Sequence, residues 1–127
     1  MREDKINLSA AEWYVCESLW EGAPKIGSRI VADLQESIGW SRSTTLTMLR
    51  RMTEKGIIAC RDIQRVKAYF PLVNREAAVR KESQDFLERV YHGDVVALVD
   101  SFVKMKKLSN EDIEQLRELL RKAEVGR

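Results

Sequence analysis

The feature that most limits what this chain can fold into is the punctuation of its first 56 residues, which cuts them into three short helices. Ser9-Ala10-Ala11-Glu12 reads as a capping box, in which the serine oxygen accepts from the N3 amide and the glutamate reaches back to the cap amide. Leu8 and Trp13 stand at the two positions of a hydrophobic staple. Trp13, Cys16, Leu19 and Trp20 follow as one apolar stripe at helical spacing, and Gly22-Ala23-Pro24 stops it. A second helix is expected from about Gly27 to Ile38, with Ile30, Val31, Leu34 and Ile38 on one face and Gly39 as its end. A third follows at once, capped by Ser41, with Thr45, Met48, Leu49 and Met52 inward and Gly56 at its close. Two helices joined by so little have the spacing of a helix-turn-helix.

Beyond Gly56 the pattern changes. Ile57-Ile58-Ala59-Cys60-Arg61 and Val66-Lys67-Ala68-Tyr69-Phe70 are two extended runs around a polar tip, Asp62 to Arg65, and Pro71 closes them. This reads as a β-hairpin, although the tip has neither Asn-Gly nor Asp-Gly. Three helices and a two-stranded wing make a winged helix. The remainder reads as helical. Asn74 caps a helix to about Tyr91, with Val79, Phe86, Leu87 and Val90 on its apolar side, and His92-Gly93 breaks it. Asp94 to Met105 is strongly apolar, and Ser109-Asn110-Glu111-Asp112 opens a last helix with the stripe Ile113, Leu116, Leu119, Leu120 and Ala123. The expected fold class is mostly α: a winged helix-turn-helix over residues 1–73 and a helical dimerisation region over 74–127. A tail of about fifty residues is too small to bury three apolar faces alone. A second copy of the tail is the simplest cover, so a symmetric homodimer is expected, held by Phe86, Leu87, Val90, Phe102, Ile113, Leu116, Leu119 and Leu120.

Charge locates the candidate binding surface. From Met1 to Gly39 there are four basic and seven acidic residues, net −3. From Trp40 to Lys67 there are seven basic residues against Glu54 and Asp62, net +5. A local positive patch on a chain of net charge +2 points to an anionic partner, with a merely solvated basic face as the bland alternative. At 100° per residue the third helix turns Ser43, Thr44, Thr47, Arg50 and Arg51 outward. Small hydroxyls allow close approach, and arginines suit guanine edges or phosphates. The amides at its start, Ser41 to Thr44, favour a phosphate. The candidate DNA-binding residues are therefore Arg42, Ser43, Thr44, Leu46, Thr47, Arg50 and Arg51, with Arg65 and Lys67 in the wing and Arg61 beside them. Leu46, at the edge of the face, either touches a thymine methyl or packs.

Other functions find little support. Cys16 and Cys60 form no CxxC pair and His92 is the one histidine, so a zinc site of ordinary spacing is excluded. The cysteines read as small buried hydrophobes, with a redox-sensing thiol as the alternative. Trp13, Trp20 and Trp40 read as packing residues rather than base stackers, and His92 as a helix-end residue rather than a ligand. No Gly-rich phosphate loop, nucleophile motif or carboxylate cluster converges, so neither an enzyme nor a cofactor is expected. No apolar run approaches the roughly 20 residues of a membrane span, and Met1-Arg2-Glu3-Asp4-Lys5 leads into no signal-peptide core, so the expected location is the cytoplasm. Two rivals stand beside a DNA-binding repressor: a winged-helix protein-interaction module, and a repressor released by a directly bound small effector.

The order of motifs resembles the penicillinase-repressor family of bacterial regulators, the BlaI/MecI type. Ser9-Ala10-Ala11-Glu12-Trp13 with Trp20 resembles its opening helix, and Trp40-Ser41-x-x-Thr44-x-x-Thr47-x-x-x-Arg51 its recognition helix. Lys55-Gly56 resembles the following turn, and Tyr69-x-Pro71-Leu72-Val73 the end of the wing. Glu82-Ser83-x-x-Phe86, Tyr91-x-Gly93, Leu98-Val99-x-x-Phe102-Val103 and Leu108-Ser109-x-x-Asp112-Ile113 resemble the dimerisation region. The resemblance implies a homodimer on a palindromic operator, repressing neighbouring genes, with β-lactam resistance or related stress genes as targets. In the best-known members a membrane sensor-protease pathway triggers cleavage at an Asn-Phe bond in the middle tail helix. The matching bond here is Ser101-Phe102, with serine in place of asparagine and Asp100 where well-known relatives are apolar. Release is therefore expected through a receptor pathway of altered specificity, or without cleavage. The cysteine cluster that ends the copper-responsive branch has no counterpart in Ala123 to Arg127.

Overall fold

A computed structural model describes residues 7–126, so the charged run Met1 to Lys5 lies outside the described residues. The helices α1 (Ala10–Glu21), α2 (Gly27–Ile38) and α3 (Arg42–Lys55) are followed by the wing strands β2 (Ile58–Ile63) and β3 (Val66–Pro71). A two-residue strand β1 (Lys25–Ile26) precedes α2. Then come α4 (Arg75–Tyr91), α5 (Val95–Lys104) and α6 (Asn110–Val125). Backbone contacts divide the chain into one unit ending at Glu82 and another beginning at Ser83.

In the first unit the local signals act as chemistry requires. Ser9 Oγ accepts from Glu12 N at 3.1 Å, and Glu12 Oε1 accepts from Ser9 N at 2.8 Å, completing the capping box. Gly39 (φ +73°) and Gly56 (φ +81°) close α2 and α3 in the left-handed region, which glycine enters without a Cβ penalty. The core is Val15, Cys16 and Leu19 from α1, Ile30 and Leu34 from α2, and Leu49 and Met52 from α3, with Ile57, Ile58, Val73 and Ala78. Trp13 and Trp20 are only half-buried; their rings meet edge to face at 5.4 Å and flank that core. Trp20 Nε1 donates to Val73 O at 2.9 Å, tying α1 to the exit of the wing.

Two details differ from the sequence expectation. The first wing strand runs two residues further than expected, to Ile63 opposite Val66, while the second starts at Val66 as expected, so the connection is the two-residue turn Gln64-Arg65. Both residues have positive φ (52° and 69°), the backbone of a type I′ turn made without glycine or asparagine. Lys25 and Ile26 form a third strand on β3, opposite Tyr69 and Ala68, giving the order β1-β3-β2.

In the second unit every helix start is capped but little is buried. Asp94 Oδ1 accepts from Ala97 N at 3.0 Å, and Ser109 and Asp112 form a reciprocal capping box. His92 (φ 53°) and Gly93 (φ 83°) end α4. Neither α5 nor α6 has a buried residue. No helix among the described residues is long and apolar enough to cross a membrane.

Candidate nucleic-acid interface

The surface is built on α3. Its inner face places Thr45, Leu49 and Met52 in the core with essentially no exposure. That anchorage fixes which side chains face outward. Ser43, Thr44, Thr47 and Arg51 come together, with Met48, around a shallow depression of about 220 Å3. Arg42, Leu46 and Arg50 are exposed but do not line it. Leu46 is 37% exposed. Arg50 is engaged with Glu54 one turn on, at 3.5 Å. Arg42, Arg51 and Arg65 have no carboxylate within ion-pair distance among the described residues.

The start of α3 is capped by its own serine. Ser41 Oγ accepts from Thr44 N at 3.2 Å and lies 3.0 Å from Thr44 Oγ1 and 3.2 Å from Ser43 Oγ. The first turn contains no acidic residue, so the positive end of the helix dipole is uncancelled. Arg65 occupies the wing turn, Lys67 stands opposite Asp62 across the hairpin, and the Arg61 guanidinium lies over the Phe70 ring at 5.1 Å. Ile63 and Val66, paired at the tip, are 38% and 46% exposed.

Two polar clusters that hold the scaffold were invisible in the sequence. Lys25 Nζ donates to Asp33 Oδ2 (2.7 Å), Ser18 O (2.6 Å) and Ser18 Oγ (3.0 Å), joining α1, β1 and α2. The Lys25 ammonium holds the Asp33 carboxyl below its ordinary range. In the second cluster Glu12, 5% exposed, receives Lys55 Nζ from the last turn of α3 at 2.6 Å. Burial alone would push the Glu12 carboxyl up. The Lys55 ammonium and the Ser9 amide outweigh burial and hold it below its usual value. No spacing rule links positions 43 residues apart, so only the fold could reveal this pair.

Cys16 is fully buried, and burial pushes its thiol up to about 12, which suits the packing role. Cys60 is half-buried on β2 opposite Tyr69. No group of three or more His, Cys, Asp or Glu suited to a metal occurs among the described residues.

A helix-turn-helix with a wing, a third helix whose first turn carries no acidic residue, and basic exposed side chains define a winged-helix DNA-binding protein. Residues 8–122 match the family model "Penicillinase repressor", and the chain belongs to that family, whose members are DNA-binding transcriptional repressors rather than enzymes. It is 32% identical over 115 residues to the methicillin resistance regulatory protein MecI of Staphylococcus aureus, covering 91% of this chain and 94% of that one. It is 29% identical over 120 residues to the penicillinase repressor of Staphylococcus aureus, covering 94% and 95%. The solution structure of the DNA-binding domain of the repressor BlaI is similar with a TM-score of 0.51 at 26% identity, over 60% of this chain and 90% of that one.

Proposed function

We propose that this chain is a homodimeric transcriptional repressor that reads a palindromic operator with α3 of each protomer and grips the flanking backbone with the wing. The observation that carries the reading is α3. One face is locked into the core, and the other gathers Ser43, Thr44, Thr47 and Arg51 beside an uncancelled helix N-terminus. Thr47 and Arg51 read base edges, and Leu46 meets a thymine methyl. Arg42, Arg50, Arg65 and Lys67 neutralise phosphates. Such a protein works where the DNA is, in the cytoplasm of a bacterium.

Dimerisation is supported by the second unit, whose apolar side chains lack cover. Val96 is 77% exposed, Leu119 62% and Leu120 65%. Phe86, Leu87, Phe102 and Leu116 are half-buried, and Val90 and Ile113 are exposed. Burying a Leu or Val side chain is worth about 1.5–3 kcal/mol, so a matching tail has much to gain. The relatives' names, a methicillin resistance regulator and a penicillinase repressor, support β-lactam resistance genes as the targets.

Release is proposed through the tail. Ser101-Phe102 lies inside α5, where Ser101 O accepts from Met105 N at 3.0 Å, so a protease must first open the last turn. A cut there detaches α6 from the DNA-binding half, and losing the tether between half-sites can cost as much as about 10²–10⁴ in affinity. Intact-mass measurement on protein from derepressed cells tests this. A fragment ending at Ser101 supports the cut; full-length protein throughout derepression rejects it.

The main reading is tested by titrating the full chain onto a palindromic duplex and a random duplex at several salt concentrations. A repressor using this basic face gives a steep linear fall of log affinity with log salt and prefers one sequence. Flat salt dependence without preference refutes the reading and favours a protein-interaction module.

A further inference from the structure

Resting on the reading of α3 as the DNA-reading helix, we infer that Glu12 is a positioning residue for that helix, acting through Lys55. Glu12 is on the first turn of α1, and Lys55 is the last residue of α3. The carboxylate is almost wholly buried, and each oxygen has one assigned donor: Oε1 takes the Ser9 amide at 2.8 Å, and Oε2 takes Lys55 Nζ at 2.6 Å. One end of the link is therefore rigid, because the capping box and burial hold Glu12 in place. The other end is a lysine whose side chain is 58% exposed but whose ammonium is held.

What this link adds is directional. Leu49 and Met52 hold α3 through apolar contact, which is non-directional and tolerates a small roll about the helix axis. A roll of about 10° at roughly 6 Å from the axis moves a side-chain atom by about 1 Å. That is enough to spoil a hydrogen bond to a base edge. A short charged hydrogen bond from the end of α3 to a fixed carboxylate resists that roll. It also lies just before Gly56, where the chain turns into the wing, so it sets the last point of α3 from which β2 departs.

Positioning and simple electrostatics predict opposite signs. Glu12→Gln removes a negative charge, which should leave binding to any DNA unchanged or tighten it. If Glu12 orients α3, the same change weakens specific binding alone. Lys55→Met is the second variant; it leaves the buried Glu12 carboxylate without its cation, so its binding is compared only after folding is confirmed. A phosphate-contacting Lys55 would give uniform loss on all DNA and reduce the salt slope by about 0.9. A positioning Lys55 gives selective loss with the slope retained.

The experiment uses the full-length chain, checked for folding by circular dichroism. The probes are a duplex enriched from a random-sequence pool by the wild-type protein and a scrambled duplex of equal composition. Each single variant is expected to lose about tenfold on the enriched duplex, the lower part of the range for one impaired base contact. Binding to the scrambled duplex stays within about twofold, and the double variant is no worse than either single. Equal losses on both duplexes, additive losses, or wild-type behaviour in Glu12→Gln overturn the inference while leaving the reading of α3 intact. Failure of the wild type to enrich any duplex overturns that reading, and this inference with it.

Discussion

Thr45 offers the sharpest test of how α3 is seated. It has no exposure, and its Oγ1 has no hydrogen-bond partner among the described residues. A hydroxyl desolvated without compensation costs about 1–3 kcal/mol. Thr45→Val keeps the branched shape and removes the hydroxyl, and the two residues have similar helix propensities. The variant should therefore be more stable by about 1–2 kcal/mol. For a unit of this size, each kcal/mol corresponds to a rise in Tm of about 4–8 °C. Thr45→Ser, which keeps the hydroxyl and loses the methyl, should instead lose about 1 kcal/mol. The assay is thermal unfolding by circular dichroism at one fixed protein concentration, since association would shift Tm. Operator affinity should be unchanged, because Thr45 faces the core. A Thr45→Val protein less stable than wild type by about 1 kcal/mol would refute the reasoning, since the hydroxyl would then have a partner.

Arg51→Ala and Thr47→Ala should each cost about 1–3 kcal/mol on the operator and little on random DNA, whereas Arg65→Ala and Lys67→Ala should weaken all DNA alike and flatten the salt slope; equal losses throughout would remove base reading from α3. Replacing Leu116 and Leu120 by glutamate should give monomers in sedimentation at micromolar concentration, with much weaker operator binding; a monomeric wild type under those conditions would end the dimer proposal. In acid, Glu12 and Asp33 both hold their carboxyls below the ordinary values of 4.5 and 3.8. Their contribution to stability is therefore full above those values and is lost as pH falls through the lower folded values. Urea melts of Glu12→Gln should accordingly show a shallower decline below about pH 4.5 than wild type, and an identical acid limb would contradict the assigned pair.

Much of this fold was legible because its signals are local. Ser9, Ser41, Asn74, Asp94 and Ser109 cap helices, and Gly39, Gly56 and Gly93 end them, each within one turn of its partner atoms. What escaped was non-local or came from residues with no turn signature. The strand Lys25–Ile26 is two residues long and exists only because β3 offers an open edge. The polar run Asp62 to Arg65 looks like a longer tip because nothing in Gln64-Arg65 announces two left-handed residues, a backbone that costs such residues of order 1 kcal/mol each. Val15, fully buried, was hidden by larger neighbours: Trp13 and Trp20 dominate the apolar stripe yet only flank the core. For the interface, helical periodicity supplied Ser43, Thr44, Thr47 and Arg51 as one face. It could not separate Arg50, drawn to Glu54, from Arg51, or reveal Glu12 beneath Lys55.

The tail shows why local legibility and stability are different things. The start of α5 is held by Asp94 and that of α6 by a complete capping box, so the sequence defines both helices clearly. Yet neither buries a residue, and α5 has only ten. A helix of that length is marginal in water, since the cost of nucleation is recovered only by length or packing. Caps contribute about 1 kcal/mol each and cannot replace a core. With Leu98 and Phe102 only half-buried, α5 would gain from further apolar contact, which is the physical case for the proposed second tail. The same shortage supports the proposed release. A helix held chiefly by a partner opens whenever the partner leaves, and the Ser101-Phe102 bond lies in the turn that would open. Dimerisation and cleavage would then be two outcomes of one property, an α5 too short and too exposed to stand alone.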